Sequence, residues 1–117
     1  MKENLVILGS TGSIGTNTLE VVSKHTDKYK VFALSAHSSV DLLLSQCQEF
    51  EPNFVHISDS FHLKRIKTSL EKLNLSTQII SGSSELNELV ANEKVDTVVC
   101  GISGSAGLES SLQAVKS

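Results

Sequence analysis

Short apolar runs rich in β-branched residues alternate along this chain with segments whose apolar positions recur at helical spacing. Runs of the first kind are typical of strands that are buried on both faces of a parallel sheet. We therefore predict five strands, at residues 4–8, 31–36, 53–57, 77–80 and 95–100.

The segments between these runs predict amphipathic helices that each pack one apolar stripe on the sheet. A first helix is expected directly after the first strand, and further stripes lie within residues 40–50, 63–73, 86–90 and 106–117. The last stripe consists of Leu108, Leu112 and Val115. It ends without a C-cap or a further strand, so we expect the fold to be cut off there.

Polar residues and proline mark where these helices begin and end. Pro52 follows the second helix and is expected to stop it, because proline cannot continue a helix. Asp59 or Ser60 is predicted to cap the third helix, and Ser83 or Ser84 the fourth.

The sharpest motif is Gly-Ser-Thr-Gly-Ser-Ile-Gly at residues 9–15, which follows the first strand and opens the first helix. Glycines at these positions permit a tight turn, close approach of a pyrophosphate and close packing of the helix on the sheet. The backbone amides of residues 11–14 are expected to point outward at the positive end of the helix dipole. We predict dinucleotide binding by Thr11, Gly12, Ser13 and Ile14; the alternative is a Gly/Ser-rich turn without a ligand.

The alternation of strands and helices around this loop predicts the fold class. We expect an α/β fold with a Rossmann-like, doubly wound parallel sheet in three αβα layers, truncated after about five βα units. A chain of 117 residues suits a single domain.

The end of the second strand bears on which dinucleotide is bound. An acidic residue there would select NAD, but residues 35–39 contain none. This favours NADP, with Ser38 and Ser39 donating to the 2′-phosphate and His37 adding charge when protonated. The alternative for Ser39 is a simple cap of the second helix. A second small-residue loop at residues 101–108 either lines the cofactor crevice with Gly101, Ile102 and Ser103 or forms a plain turn.

Composition excludes several other classes of function. The net charge is −3, from 10 Lys+Arg and 13 Asp+Glu, which predicts no nucleic-acid or anionic-membrane surface. No apolar run approaches the roughly 18 residues of a membrane span, and no secretory signal is visible. The two cysteines and four histidines lack metal-ligand spacing, so we predict no metal site in the chain. The two cysteines also form no disulfide framework, so we expect a reducing, cytoplasmic location.

Several motifs together resemble one enzyme family. They are the residue 9–15 heptapeptide, Thr18-Leu19-Glu20-Val21-Val22, Ala33-Leu34, Gln46-Cys47 with Glu49-Phe50 and Pro52, and Gly104-Ser-Ala-Gly107-Leu108. In this order they resemble the N-terminus of the 1-deoxy-D-xylulose 5-phosphate reductoisomerases.

The resemblance implies that residues 1–117 are an incomplete N-terminal NADPH-binding domain, with the catalytic and C-terminal domains outside this chain. The family rearranges 1-deoxy-D-xylulose 5-phosphate, a phosphorylated sugar, and reduces the product with NADPH to 2-C-methyl-D-erythritol 4-phosphate, on the non-mevalonate route to isoprenoids. Mg²⁺ or Mn²⁺ serves as a Lewis acid, its ligands lie outside this chain, and the full-length protein is expected to be a homodimer.

Carried over by motif, Thr11, Gly12, Ser13 and Ile14 bind the NADPH pyrophosphate. The family usually has Gly, then Lys or Arg, then Asn after the second strand, where this chain has residues 37–39, His-Ser-Ser. That departure removes a fixed cation from the 2′-phosphate site. We assign no catalytic and no metal residue, and we expect the chain alone to be inactive.

Two alternatives remain at this point: an NAD(P)-binding domain of another dehydrogenase, and a non-enzymatic dinucleotide-binding module. A short-chain dehydrogenase needs Tyr-x-x-x-Lys, but Tyr29 is followed four residues later by Ala33. The uncapped last helix argues against a complete module.

Overall fold

The apolar runs form one central sheet, and helices cover both of its faces. The structure, a computed structural model, describes residues 2–37, 39–100 and 114–116. The strands are β1 (Glu3–Leu8), β2 (Tyr29–Ala36), β3 (Phe54–Ile57), β4 (Gln78–Ser81), β5 (Thr97–Cys100) and β6 (Ala114–Lys116). The α-helices are α1 (Ser13–Ser23), α2 (Val40–Phe50), α3 (Leu63–Lys72) and α4 (Ser83–Val90), with a 3₁₀ turn at Ser60–His62.

The strand order is β4-β3-β2-β1-β5-β6, and β1 to β5 are mutually parallel. The first crossovers step outward from β1 through β2 and β3 to β4, and the next returns to the other side of β1 at β5. The direction of winding therefore reverses beside β1. In open α/β sheets this reversal opens the crevice in which ligands bind.

The core is divided between the two faces of the sheet. The larger cluster packs α1, α2 and α3 on one face through Leu19, Leu43 and Ile66. The smaller cluster packs Leu89 of α4 on the other face, beside Val98. The doubly wound parallel sheet in three layers predicted from the sequence is thereby confirmed.

The end of the chain differs from the prediction. Residues 114–116 form strand β6, antiparallel to β5 with Val98 opposite Val115, where we expected the end of a fifth helix and no further strand. The outer edge of β5 offers unpaired backbone groups, and a short apolar segment can satisfy them as well as it can form a helical turn. Most of the predicted fifth helix, at residues 106–113, lies outside the described residues.

Two predicted helix caps are also wrong. The N-cap of α3 is His62, because the 3₁₀ turn intervenes; Asp59 Oδ1 instead accepts the backbone N–H of Phe61 at 3.0 Å. The N-cap of α4 is Gly82, whose φ of +89° permits a turn that the predicted serines would resist. Helix α2 ends at Phe50, two residues before Pro52, as expected.

Within the part of the chain that the structure describes, every helix is too short or too polar to cross a membrane.

Candidate cofactor-binding site

The glycine loop leaves β1 at the carboxyl edge of the sheet and is anchored by its main chain. The N–H groups of Gly9 and Ser10 both donate to the carbonyl oxygen of Ser35, at 2.8 and 2.9 Å. Ser35 is paired with Leu8, so the loop folds over the end of β2. Gly9 has a φ of +74°, which favours glycine and accounts for the sharp turn.

Helix α1 begins in direct contact with this loop. A Cβ atom at Gly15 would lie 2.3 Å from the carbonyl oxygen of Gly9 and 2.6 Å from Cα of Ser10. The third glycine therefore permits the helix to approach the loop backbone. This close approach differs from the helix-to-sheet packing expected from the sequence.

The positive end of α1 is open. Its N-cap is Gly12, which makes no side-chain cap hydrogen bond, and its first turn contains no acidic residue. Within residues 2–37 and 39–100, no group accepts a hydrogen bond from the N–H of Thr11, Ser13 or Ile14. Such unpaired amides at a helix N-terminus form an anion-binding site.

One of the amides predicted to be free is used internally. The N–H of Gly12 donates to the carbonyl oxygen of Gly9 at 3.0 Å, which closes the turn. The predicted set is thus reduced by one amide, because a loop this tight must satisfy some of its own backbone groups. The side chains of Thr11 and Ile14 are half-buried, and Ser13 is exposed.

The segment after β2 lies at the same edge of the sheet. His37 and Ser39 are exposed, and Ser38 lies outside the described residues. Ser39 is the N-cap residue of α2, although its side chain makes no cap hydrogen bond. The carbonyl oxygen of His37 accepts the N–H of Asp59 at 3.1 Å, so the segment after β3 supports this one through the backbone.

A buried polar network joins the ends of β2 and β3 to the start of α4. Ser35 Oγ and His56 Nδ1 lie 2.9 Å apart, and His56 Nε2 lies 3.1 Å from the carbonyl oxygen of Gly82. A carbonyl only accepts, so Nε2 carries a proton, and in the neutral ring Nδ1 then accepts from the Ser35 hydroxyl. Because His56 is buried and both ring nitrogens are paired, the structure indicates a structural role for it.

Ser10 and Gln46 are two residues of the site that were not predicted from the sequence. Ser10 is fully buried, and its carbonyl oxygen accepts a hydrogen bond from Gln46 Nε2 at 2.8 Å. A signal was available: Gln46 is a polar residue on the apolar face of α2, where it adjoins Cys47 and follows Leu43 by three positions.

Two further kinds of reactive group could add chemistry to the described residues: a metal cluster and a reactive buried thiol. Among residues 2–37 and 39–100, no group of three His, Cys, Asp or Glu side chains is placed to hold a metal ion. Burial raises the pKa of the Cys47 thiol to about 12, so this thiol is neutral at pH 7 and is not a nucleophile. The predicted crevice residues Gly101, Ile102 and Ser103 lie outside the described residues.

The features described above define the Rossmann-like class of α/β domains. They are a parallel sheet that reverses its winding beside β1, and a glycine loop and an open helix N-terminus at that point. Within this class, the family model for 1-deoxy-D-xylulose 5-phosphate reductoisomerase matches residues 5–117. The chain belongs to that family.

Individual relatives agree with this assignment. The 1-deoxy-D-xylulose 5-phosphate reductoisomerase of Saccharophagus degradans is 41% identical over 114 residues, and that of Actinobacillus pleuropneumoniae serotype 5b is 43% identical over the same length. Each match covers 97% of this chain and 29% of the relative. The chain thus spans under a third of the length of these relatives, and its resemblance to the family is confirmed.

Solved structures show the same fold. A DOX-P reductoisomerase in complex with NADPH, fosmidomycin and magnesium superposes with a TM-score of 0.82 at 40% identity, over 92% of this chain and 26% of that one. The reductoisomerase of Zymomonas mobilis in complex with NADPH gives a TM-score of 0.79 at 29% identity, over 93% and 28% of the two chains.

Proposed function

We propose that this chain is the NADPH-binding part of a reductoisomerase that converts 1-deoxy-D-xylulose 5-phosphate to 2-C-methyl-D-erythritol 4-phosphate. Residues 1–117 form its N-terminal domain, and the remaining domains lie outside this chain. Two solved relatives of the same fold hold NADPH. The observation that carries the proposal is the open N-terminus of α1, where Thr11, Ser13 and Ile14 present unpaired amides.

The loop suits a pyrophosphate in both charge and shape. Anions are stabilised at a helix N-terminus by the dipole, and no carboxylate in the first turn of α1 opposes them. Gly12 is exposed at the N-cap, so a phosphate can approach its backbone. Ile14 offers a half-buried apolar surface beside the amides.

The segment after β2 holds the adenosine 2′-phosphate in this proposal. His37, Ser38 and Ser39 follow β2 in the sequence, and Rossmann-like domains contact the adenosine ribose at the end of this strand. Hydroxyl donors and an exposed imidazole favour a phosphate there over the bare ribose of NAD. Preference for NADPH is expected to be modest, because no fixed cation is present at these three positions.

Catalysis belongs to the whole protein. Bound NADPH supplies a hydride, while the groups of this chain hold its diphosphate and its 2′-phosphate. The residues that contact the substrate and the residues that ligate Mg²⁺ or Mn²⁺ are proposed to lie outside residues 1–117, so the isolated chain is expected to show no turnover. The whole protein is proposed to act as a cytoplasmic homodimer on a phosphorylated sugar, without nucleic-acid or membrane partners.

Calorimetric titration of the chain with NADPH, and separately with NADH, tests the cofactor assignment. NADPH is expected to bind more tightly than NADH by roughly threefold to tenfold, the effect of a few hydroxyl and partly charged hydrogen bonds. Tighter binding of NADH contradicts the NADPH assignment, and absence of binding by both contradicts the proposed site.

A backbone variant tests the amide contact directly. Ser13 is the first residue of α1, where proline is well tolerated, and Gly12 before it is extended with φ −78° and ψ 174°. Ser13→Pro therefore removes one N–H while preserving the helix, whereas the control Ser13→Ala removes only the hydroxyl. We expect Ser13→Pro to weaken NADPH binding by about tenfold relative to Ser13→Ala; equal affinities of the two variants exclude an amide contact.

A further inference from the structure

The buried side chain of Gln46 reaches the glycine loop from helix α2. Gln46 is 6% exposed and Ser10 is 0% exposed, and the carboxamide Nε2 donates to the Ser10 carbonyl oxygen at 2.8 Å. This hydrogen bond crosses 36 positions of sequence and joins the second helix to the loop that follows the first strand. It is therefore a tertiary restraint on the loop.

The rest of the Gln46 carboxamide is not engaged. Gln46 Oε1 and Ser10 Oγ are both buried, and neither makes a hydrogen bond within the residues that the structure describes. Buried carboxamide groups normally form hydrogen bonds through both the amide nitrogen and the amide oxygen. Here the side chain retains a single polar contact, and that contact is the loop backbone.

Ser10 is fixed from two sides. Its N–H donates to the carbonyl oxygen of Ser35 at 2.9 Å, and its carbonyl oxygen receives Gln46. Its Cα lies 2.6 Å from the position of a Cβ at Gly15, so the first turn of α1 rests against the same residue. A shift of the Ser10 peptide must therefore move the start of α1, where the unpaired amides of Ser13 and Ile14 lie.

From these contacts we infer that Gln46 is a positioning residue for the cofactor diphosphate: its amide holds the Ser10 carbonyl so that the N-terminal amides of α1 are aligned before the nucleotide binds. The inference rests on the proposed NADPH site. It assigns a binding role to a side chain that does not itself touch the nucleotide.

Substitution of Gln46 by Met tests this inference, because Met keeps the length of the side chain and removes the donor. Gln46→Glu is a second variant that places carboxyl oxygens against the Ser10 carbonyl. Gln48 is exposed on the same helix, so Gln48→Met and Gln48→Glu are matched controls. Each variant is titrated with NADPH and with adenosine 2′-phosphate, which lacks the diphosphate, and its thermal unfolding is recorded.

We expect Gln46→Met to weaken NADPH binding by about tenfold and Gln46→Glu by more, with adenosine 2′-phosphate affected less than about twofold. Both Gln48 controls should match the unsubstituted chain. Equal NADPH affinity of the unsubstituted chain and Gln46→Met overturns the inference, and so does parallel weakening of both nucleotides. If the unsubstituted chain binds no NADPH, the proposed function itself is contradicted.

A double-mutant cycle separates positioning from general stability. If Gln46 acts by aligning the amides, its loss matters less once the Ser13 amide has been removed. The weakening in Ser13→Pro/Gln46→Met should then be smaller than the product of the two single effects. Strictly multiplicative effects contradict a route from Gln46 through Ser10 to these amides.

Discussion

The two parts of the proposed cofactor site are built in opposite ways. The loop after β1 is anchored by the main chain of Ser35 and the side chain of Gln46, and Ser10 at its centre is fully buried. The segment after β2 presents exposed side chains at His37 and Ser39. In the proposed site, a fixed backbone therefore binds the diphosphate, which all dinucleotides share. The proposed 2′-phosphate contacts come from exposed side chains, whose substitution is expected to have little effect on folding.

Gly15→Ala should have the largest effect on the fixed part of the site. The added Cβ would lie 2.3 Å from the carbonyl oxygen of Gly9, so the helix and the loop must separate. We expect destabilisation of about 1–3 kcal/mol. We also expect NADPH binding weaker by roughly a hundredfold, because the amides are displaced from the diphosphate. Calorimetry and chemical unfolding measure the two quantities.

Gly82→Ala is the matched control for this substitution. Among the residues that the structure describes, and apart from its two chain neighbours, no atom lies within 4 Å of a Cβ at Gly82, but its φ of +89° is strained for alanine. The loss of stability should be similar, about 1–3 kcal/mol, without a loss of NADPH affinity. Equal losses of affinity in both variants would show that the effect of Gly15→Ala reflects stability alone.

Ser35→Ala distinguishes the main-chain from the side-chain role of one residue. The Ser35 hydroxyl pairs with the buried His56, while the Ser35 carbonyl holds the glycine loop. Removal of the hydroxyl leaves His56 Nδ1 without a donor and should lower the free energy of unfolding by about 1–3 kcal/mol.

NADPH affinity of Ser35→Ala should stay within about twofold, because the carbonyl remains. The exposed Ser45→Ala is the control and should change neither quantity measurably. A large loss of NADPH affinity in Ser35→Ala would mean that the hydroxyl also positions the loop.

His37→Lys tests the exchangeable part of the site. The substitution places a fixed cation where His37 is exposed and should raise NADPH affinity by about threefold to tenfold, with little change for NADH. Gln48→Lys adds the same charge on the exposed face of α2 and serves as the control. Equal tightening of NADPH and NADH, or equal effects in both variants, would place the 2′-phosphate elsewhere.

The glycine loop, with the strand before it and the helix after it, was the part of the site best predicted from the sequence. The continuous apolar run of β1 and the glycines after it predict the strand, the turn and the open helix, because few other residues allow that geometry. The polar Gln46 on the apolar face of α2 signals a buried hydrogen-bond partner, but the identity of that partner depends on how α2 packs against a loop 36 positions away.

The wrong predictions concern residues 114–116 and the N-caps of α3 and α4, where the sequence pattern fits more than one local structure. Residues 114–116 combine apolar and polar positions that suit one helical turn or one short strand, and the open edge of β5 decides between them. The caps of α3 and α4 were misassigned because a 3₁₀ turn and a positive φ at Gly82 displaced the helix starts. The strand at residues 114–116 depends on tertiary pairing, and the two caps depend on local backbone dihedral angles, neither of which is given by the spacing of apolar residues.

The smallest effect is expected at the ion pair that joins the first turn of α2 to α3. Arg65 contacts Asp41, but their side chains are 56% and 85% exposed, so solvent screens the pair. Arg65→Ala should lower stability by less than about 1 kcal/mol. Its effect on NADPH should appear at low salt only, because the freed Asp41 carboxylate lies two positions beyond Ser39 and repels a phosphate through solvent.

A salt titration of NADPH affinity in Arg65→Ala measures this repulsion, and Asp41→Asn/Arg65→Ala is expected to abolish it. Lys64→Ala removes an exposed cation from the same helix and is the control for net charge. If Arg65→Ala lowered NADPH affinity equally at low and high salt, the ion pair would be fixing the conformation of the segment after β2, in addition to changing the electrostatic potential there. The exposed part of the site would then share the rigidity of the glycine loop, and the contrast between the two parts would fail.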